Sequence, residues 1–185
     1  MILEAIVTTS DAAGVVNVAP MGPEVADEAC SRFTLKPFHT SRTYANLRDT
    51  GVAVIHISDD VELLTAAATG TVDGEGLVEP LLGRWVKLID CCRWFAVEVE
   101  RWSDDALRPR AECRVSHHGE QRPMFGFNRG KHAVLEAAIL TTRLHLLGQA
   151  EVRRQMQELY PLVEKTGGLA ERRAWRRLEL TVDGE

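Results

Sequence analysis

The sequence contains no apolar run approaching the roughly 18–20 residues that a membrane-spanning helix requires. Its first residues show no charged stretch followed by a long apolar one, so we predict no secretory signal peptide and a cytoplasmic location. Acidic residues outnumber basic residues by 27 to 22, which gives a net charge of −5. Because nucleic acids and anionic membranes are bound through basic surfaces, we expect neither as a partner.

Recognisable metal-ligand and nucleophile patterns are also missing. Among the 4 cysteines, the adjacent Cys91 and Cys92 lack the Cys-x-x-Cys spacing of a metal site. His117 and His118 are neighbours in a predicted strand, where successive side chains point to opposite faces. The glycine-punctuated segment 70–76 lacks the Lys-Ser/Thr pair of a phosphate-binding loop. We therefore predict no metal site, and we identify no base that would activate a cysteine nucleophile.

The composition is that of a globular protein, with 45% hydrophobic and 26% charged residues in a chain of 185. A short helix is predicted at 41–49, between a Ser41 N-cap and a terminating Gly51. A second begins after Asp59 or Asp60 and extends to about Ala68. We expect 71–84 to be irregular and 103–105 to form a turn. Clusters and alternation of β-branched and aliphatic residues predict strands at 2–9, 15–19, 32–35, 52–57, 94–102 and 111–117.

From about residue 128, the apolar residues follow helical spacing instead of the strand pattern of the preceding segments. Helices are predicted at 131–147, closed by Gly148, and at 151–164, with an interruption near Pro161. The last segment, 169–180, is helical or mixed. The predicted fold class is therefore mainly β (α+β), with an antiparallel β-barrel over 1–127 and a helical C-terminal part over 128–185 packed on it.

Several segments of the sequence, taken in order, resemble the FMN-binding split-barrel superfamily. Residues 6–9 and 17–22 are similar to its opening hairpin, and 40–47 followed by the strand 52–57 is similar to its flavin-phosphate segment. Together with 127–136 and 141–144, they resemble the uncharacterised domain-of-unknown-function four-four-seven family. The resemblance extends from residue 1 to about 165. It implies a split β-barrel that binds FMN, and a homodimer with the flavin at the interface.

The resemblance implies that the phosphate donors lie at the start of the first helix. An anion is favoured there by the unpaired main-chain amides and the positive end of the helix dipole. The alternative is that Ser41 is an ordinary N-cap and Arg42 a surface charge. The implied phosphate-binding residues are His39, Thr40, Ser41, Arg42, Thr43 and Asn46.

The resemblance also implies that the flavin ring contacts the end of the second strand. Glycine and proline there permit close approach of a planar ligand; the alternative, which the residues alone favour, is an ordinary strand end with a turn. Asn128 and Arg129, at the start of the long helix, are implied to contact the phosphate or the flavin edge, within the same subunit or from the partner subunit. For Asn128 the alternative is a simple N-cap. The implied ring-binding residues are Asn17, Ala19, Pro20, Met21 and Gly22.

Three functional hypotheses remain open at this point. The leading one is an FMN-dependent redox protein or reductase, whose small-molecule electron donor or acceptor and catalytic residues are unknown. The second is a non-catalytic flavin-binding or assembly protein on the same scaffold. The third is a scaffold that has lost its cofactor. A family resemblance supplies a fold and a cofactor, whereas the reaction depends on the site.

Overall fold

The computed structural model describes residues 1–26, 28–72, 74, 76–103 and 108–184. The chain forms two compact units, one of Met1–Ser58 with Asp73–Met124 and the other of Asp59–Val72 with Phe125–Glu185. The second unit therefore takes in the segment 59–72, which the sequence patterning had placed with the predicted barrel. No helix among the described residues is long and apolar enough to cross a membrane.

The first unit is built on an antiparallel sheet of seven strands in the order β2-β1-β5-β8-β9-β4-β3. Strand β5 is buried along nearly its whole length, as its continuous apolar run predicts. The long strands β8 and β9 pair with register shifts that mark β-bulges. The predicted turn at 103–105 lies largely outside the described residues. The strands are β1 Ala5–Ser10, β2 Val16–Met21, β3 Glu24–Val25, β4 Arg32–Leu35, β5 Val52–Ile57, β8 Arg93–Ser103 and β9 Arg110–Glu120.

The main core of this unit lies on one face of the sheet. Alternate residues of β1 and β5 contribute to it, including Val7 and Ile55, because successive strand side chains point to opposite faces. Phe33 and Phe95 pack there with their ring centroids 5.2 Å apart. Leu47, from the helix α1 (Arg42–Thr50), completes the same cluster. The core thus fixes α1 against the β1 end of the sheet.

The segment 71–84, predicted to be irregular, contains the strand β6 (Val78–Leu81), which forms a hairpin with β7 (Trp85–Leu88) just after it. Side chains of other strands hold its main chain: the Thr8 hydroxyl donates to Val86 O, and His56 Nε2 accepts from Leu88 N at 3.0 Å. In return, Trp85 Nε1 donates to Val97 O at 3.1 Å. Because these bonds join residues distant in sequence, the local pattern of 71–84 does not reveal the hairpin.

The predicted caps of the first two helices are confirmed. Ser41 Oγ accepts from Tyr44 N at 3.1 Å, and α1 ends at Gly51, whose φ of 69° is left-handed. Helix α2 (Val61–Ala68) is N-capped by Asp60, whose Oδ1 accepts from Glu62 N and Leu63 N.

The second unit packs α2 with the C-terminal helices around Val134, Trp175 and Leu178. The predicted helix 131–147 is divided at Arg143, and the predicted interruption near Pro161 is wrong. Pro161 lies inside a continuous helix on an exposed face, where water can satisfy the carbonyl that loses its donor. The C-terminal helices are α3 Arg129–Thr142, α4 Leu144–Leu147, α5 Gln149–Thr166 and α6 Leu169–Asp183.

Candidate functional site

The amino end of α1 has the features of an anion-binding helix terminus. Its first turn contains no acidic residue to complement the helix dipole. Ser41 caps Tyr44 N, and Ala45 N donates to Ser41 O at 3.2 Å. Within the described part of the chain, the amides of Arg42 and Thr43 have no acceptor, and the exposed Arg42 guanidinium forms no ion pair. Two amides and one cation are therefore available to a ligand.

Behind this terminus lie four polar side chains joined by hydrogen bonds, which we term the Thr–Asn cluster: Thr9, Asn17, Thr43 and Asn46. Asn17 Nδ2 donates to Thr43 Oγ1 at 3.0 Å and lies 3.5 Å from Thr9 Oγ1. Asn46 Nδ2 donates to Thr9 Oγ1, also at 3.0 Å. Thr43 and Asn46 are only 2% and 3% exposed. Residues predicted for the phosphate and a residue predicted for the ring, the half-buried Asn17, thus meet in one hydrogen-bonded network.

Helical spacing and strand register explain the cluster. Thr43 and Asn46 are three residues apart and therefore share one face of α1. Thr9 and Asn17 are directly opposite in the β1–β2 ladder. Helix α1 packs on the sheet face that carries Thr9. The helix pair, Thr43 and Asn46, therefore contacts the strand pair, Thr9 and Asn17.

The other residues predicted around the helix start lie on the surface. His39 and Thr40 are exposed, and Ser41 Oγ donates to Phe38 O at 2.8 Å in addition to its capping bond. The rings of His39 and Tyr44 form an edge-to-face pair with their centroids 5.1 Å apart. The rings of Tyr44 and Trp102 form a second such pair, with 5.5 Å between centroids. An aromatic surface therefore adjoins the helix terminus.

The residues predicted for the flavin ring follow Asn17 along β2, which is an edge strand of the sheet. Pro20 is exposed there, as predicted for a residue that cannot donate to a ladder. Ala19 is half-buried, and Met21 packs against the main core. A Cβ on Gly22 would lie 2.9 Å from Cγ2 of Ile2, an exposed side chain that can move aside.

Asn128 and Arg129 belong to the second unit, and the contacts of Asn128 are made within that unit. Asn128 Oδ1 accepts from Lys131 N at 3.0 Å, and its Nδ2 donates to Thr166 O at 3.0 Å. This is the N-cap role weighed as the alternative. Arg129 is exposed and forms no ion pair with any described residue. Phe127, 94% exposed, stacks on the exposed His132 with 6.0 Å between ring centroids.

Two family models match consecutive parts of the sequence. The model described as "Protein of unknown function (DUF447) N-terminal domain" matches residues 3–122, and "Protein of unknown function (DUF447)" matches residues 128–180. The chain belongs to the DUF447 family. A search of the curated proteins finds no match to this DUF447 chain.

Solved structures give the fold. An FMN-bound DUF447 protein from Methanosarcina mazei is 22% identical, with a TM-score of 0.86 over 97% of this chain and 94% of its own. The styrene monooxygenase flavin reductase of Pseudomonas putida S12 is 15% identical, with a TM-score of 0.54 over 64% and 81%. An FMN-binding protein from Thermus thermophilus is 14% identical, with a TM-score of 0.56 over 64% and 70%. The DUF447 chain therefore has the predicted split-barrel fold with a helical C-terminal part.

A cavity of about 350 Å³ in the first unit is separate from the predicted residues, none of which lines it within the described part of the chain. It is bordered by Glu24, Arg32 and Cys113. Hydrogen bonding from Lys36 holds the pKa of Glu24 below its ordinary value, and Arg110 adds an ion pair at 3.1 Å. Because Glu24 is paired within the protein, this cavity is a weaker candidate than the α1 terminus.

Thr9 and Tyr44 are the site residues that the sequence analysis missed. Thr9 shares a strand face with Ala5 and Val7, both of which belong to the apolar core. A hydroxyl that interrupts the apolar face of a strand requires a partner, since an unpaired buried polar group is unfavourable. That interruption was the available signal. Tyr44 offered none, because its contact with Trp102 depends on the fold.

No metal site emerges from the described residues, among which no group of three or more His, Cys, Asp or Glu is placed to hold an ion. All 4 cysteines are buried, and none of them forms a disulfide. Burial raises the pKa of the Cys91 thiol to about 11 and that of Cys113 to about 12. Both therefore remain protonated and unreactive at neutral pH.

Proposed function

We propose that this DUF447 chain binds FMN, with the phosphate at the amino end of α1. The observation that carries the proposal is the pairing of this open helix terminus with the buried Thr–Asn cluster. Main-chain amides, the Thr43 hydroxyl and the Arg42 guanidinium are together the donor set that a phosphate dianion requires. No acidic side chain in the first turn opposes the anion.

The isoalloxazine ring then extends along β2, away from the helix. From Asn17 to Gly22 the strand and the residue after it span about 16 Å, at roughly 3.3 Å per residue. The open edge of β2 leaves main-chain groups of the strand available to polar atoms of a ribityl chain and a ring. A ligand with an anionic end and a long planar body matches this layout.

The related structures support the same cofactor. The M. mazei DUF447 protein is FMN-bound, and the T. thermophilus relative is an FMN-binding protein. The P. putida relative is a flavin reductase. We extend the proposal to a redox role, in which bound FMN would supply electron or hydride transfer. The protein's own part is to bind the phosphate, orient the ring and tune its electronic environment.

We further propose that the protein is a homodimer. Its support is the exposed apolar segment around Met124, Phe125 and Phe127, which are 53%, 77% and 94% exposed. Aromatic residues and Met are enriched in protein interfaces. Arg129, next to this segment, is then available to a flavin held by the partner subunit. Light scattering at micromolar concentration tests this proposal, and a monomeric mass contradicts it.

The cofactor proposal is tested on the purified protein by its flavin absorbance and by reconstitution with FMN. We expect Arg42→Ala and Thr43→Ala each to weaken FMN binding on the order of tenfold or more, because each removes a donor to a charged group. Arg48→Ala is the matched control, since Arg48 is an exposed cation at the other end of α1, over Trp102. A colourless protein that cannot be reconstituted contradicts the proposal.

Reduction of the bound flavin separates an enzyme from a binder. Bleaching by NADH or NADPH, followed by turnover with an electron acceptor, is expected for a reductase. Stable binding without reduction by either nucleotide contradicts the redox part and leaves the cofactor assignment intact.

A further inference from the structure

Thr43 differs from most of the threonines that the structure places in or at the ends of its helices; among the described residues Thr65, whose buried hydroxyl has no hydrogen-bond partner, is a further exception. The usual pattern is donation from the hydroxyl to a main-chain carbonyl three or four residues earlier, as by Thr50 to Asn46 O at 2.8 Å and Thr141 to Ala137 O at 2.9 Å. Thr43 is buried yet donates to no acceptor among the described residues. Its bond is one in which it accepts, from Asn17 Nδ2. The proton of its hydroxyl is therefore available.

Asn17 determines where that proton points. An amide NH₂ only donates hydrogen bonds, so a hydroxyl oxygen facing it must present a lone pair. The O–H bond of Thr43 is consequently directed away from Asn17. Thr43 is the second residue of α1, beside the open amides of the helix terminus. An anion at this terminus lies where the hydroxyl can donate.

The remainder of the Thr–Asn cluster holds Asn17 in this orientation. Its Nδ2 also approaches Thr9 Oγ1 at 3.5 Å, and that oxygen already accepts from Asn46 Nδ2 at 3.0 Å. The side-chain amides of Asn17 and Asn46 are thus the donors of the cluster, and the threonine hydroxyl oxygens are the acceptors. Asn17 is also fixed by its ladder position opposite Thr9.

We infer that Asn17 is a positioning residue that aims the Thr43 hydroxyl at the ligand's phosphate, and thereby makes the site prefer FMN over riboflavin. This inference rests on the proposed function. It assigns Asn17, which the family resemblance implied as a ring contact, to phosphate selection through Thr43. It predicts that changes at Asn17 affect the phosphorylated flavin and spare the unphosphorylated one.

Asn17→Asp is the sharpest test because it keeps the shape of the side chain and reverses its hydrogen-bonding role. A carboxylate only accepts, so the Thr43 hydroxyl turns to donate to residue 17 and is lost to the phosphate. We expect the dissociation constant for FMN to rise on the order of 10–100-fold and that for riboflavin to change less than about twofold. Both are measured by quenching of flavin fluorescence.

Two further variants separate this effect from added charge. Val15→Asp places the same charge two residues earlier, at the exposed position that precedes β2, and should leave the ratio of FMN to riboflavin affinity near that of the parent. Thr43→Val removes the hydroxyl at constant shape and should lower the same ratio. In a Thr43→Val background, Asn17→Asp should lower this ratio by less than it does in the parent, since the hydroxyl that it redirects is absent.

The outcomes distinguish this inference from the proposed function. If the parent protein binds neither flavin, both are wrong. If the parent binds FMN while a folded Asn17→Asp protein keeps the parental affinity ratio, or loses both flavins equally, only the role of Asn17 is wrong. Should Asn17→Asp fail to fold, Asn17→Ala removes the donor without adding charge, and the same two affinities decide.

Discussion

Acidification should destabilise the protein through one buried imidazole, His56. This side chain is 0% exposed and joins three strands. Because Leu88 N donates to Nε2, the ring is the neutral tautomer that carries its proton on Nδ1 and donates to Ile6 O at 3.1 Å. Protonation would place a second N–H against the Leu88 amide, turning an attraction between β5 and β7 into a repulsion.

The pKa of His56 reflects this environment. Burial is the main cause that lowers it, with a smaller contribution from the charge of Lys87, and together they outweigh the Ile6 carbonyl, bringing the pKa from 6.5 to about 4. In the unfolded chain the imidazole takes up its proton near pH 6.5, whereas in the folded protein it stays neutral down to about pH 4. The unfolded state therefore binds more protons between these values, and stability falls as the pH falls through this window.

The size of the effect follows from the same two values. The lowering of the His56 pKa from 6.5 to about 4 corresponds to about 3 kcal/mol, at about 1.4 kcal/mol per pH unit. Between pH 7 and pH 5 the free energy of unfolding should fall by about 2 kcal/mol from this group. Carboxylates whose pKa the fold lowers, such as Glu24 and Glu62, contribute mainly below about pH 5.

Urea denaturation at pH 7 and pH 5 measures this loss. His56→Gln should be less stable than the parent at pH 7, by about 1–3 kcal/mol for the impaired buried hydrogen bonds, and should lack most of the dependence on pH. His118→Gln, at an exposed position of β9, is the matched control and should retain it. NMR of the ring nitrogens gives a direct reading on the unaltered protein. An imidazole at residue 56 that titrates near pH 6.5 in the folded state would refute the reasoning.

Three further outcomes are expected. Trp85→Phe should lower the free energy of unfolding by about 1 kcal/mol, because it removes the hydrogen bond to Val97 O and leaves a buried acceptor; an unchanged urea midpoint would show that water replaces the indole. Gly51→Ala should lower the free energy of unfolding by about 1 kcal/mol in the same assay, since the C-cap φ of 69° disfavours a side chain. Ala45→Gly, on the exposed face of α1, is the comparison and measures ordinary helix propensity. Cys91 and Cys113 should react with a thiol reagent far more slowly in native buffer than in denaturant, as their raised pKa values imply, and rapid native labelling at either position would contradict their burial.

Features encoded locally were predictable from the sequence. The start and end of α1 follow from Ser41 and Gly51, and the burial of β5 follows from its apolar run. Both depend on residues within a few positions of one another. The candidate anion site at the amino end of α1 came instead from the family resemblance, to which the open amides and dipole of a helix start add a physical reason.

Features created by long-range contact were not predictable in the same way. The bond between Asn17 and Thr43 spans 26 residues, and that between Thr9 and Asn46 spans 37. The docking of β7 depends on Thr8 and on His56, 32 residues from Leu88. In each case a polar residue inside an apolar strand indicates that a partner exists, while the fold alone identifies it.

The strand order of the main sheet also bears on how the chain is made. Strand β4 has the two-residue β3 as its neighbour on one side, and its other neighbour is β9, at Arg110–Glu120. During synthesis from the amino terminus, about 75 residues must therefore be added after β4 before β9 begins and can pair with the second edge of β4. Pairing at such separation is slow, and uncovered edges favour aggregation. In the finished sheet the outer edges are β3, which has two residues, and β2, which contains a proline, and both features disfavour pairing with a long foreign strand.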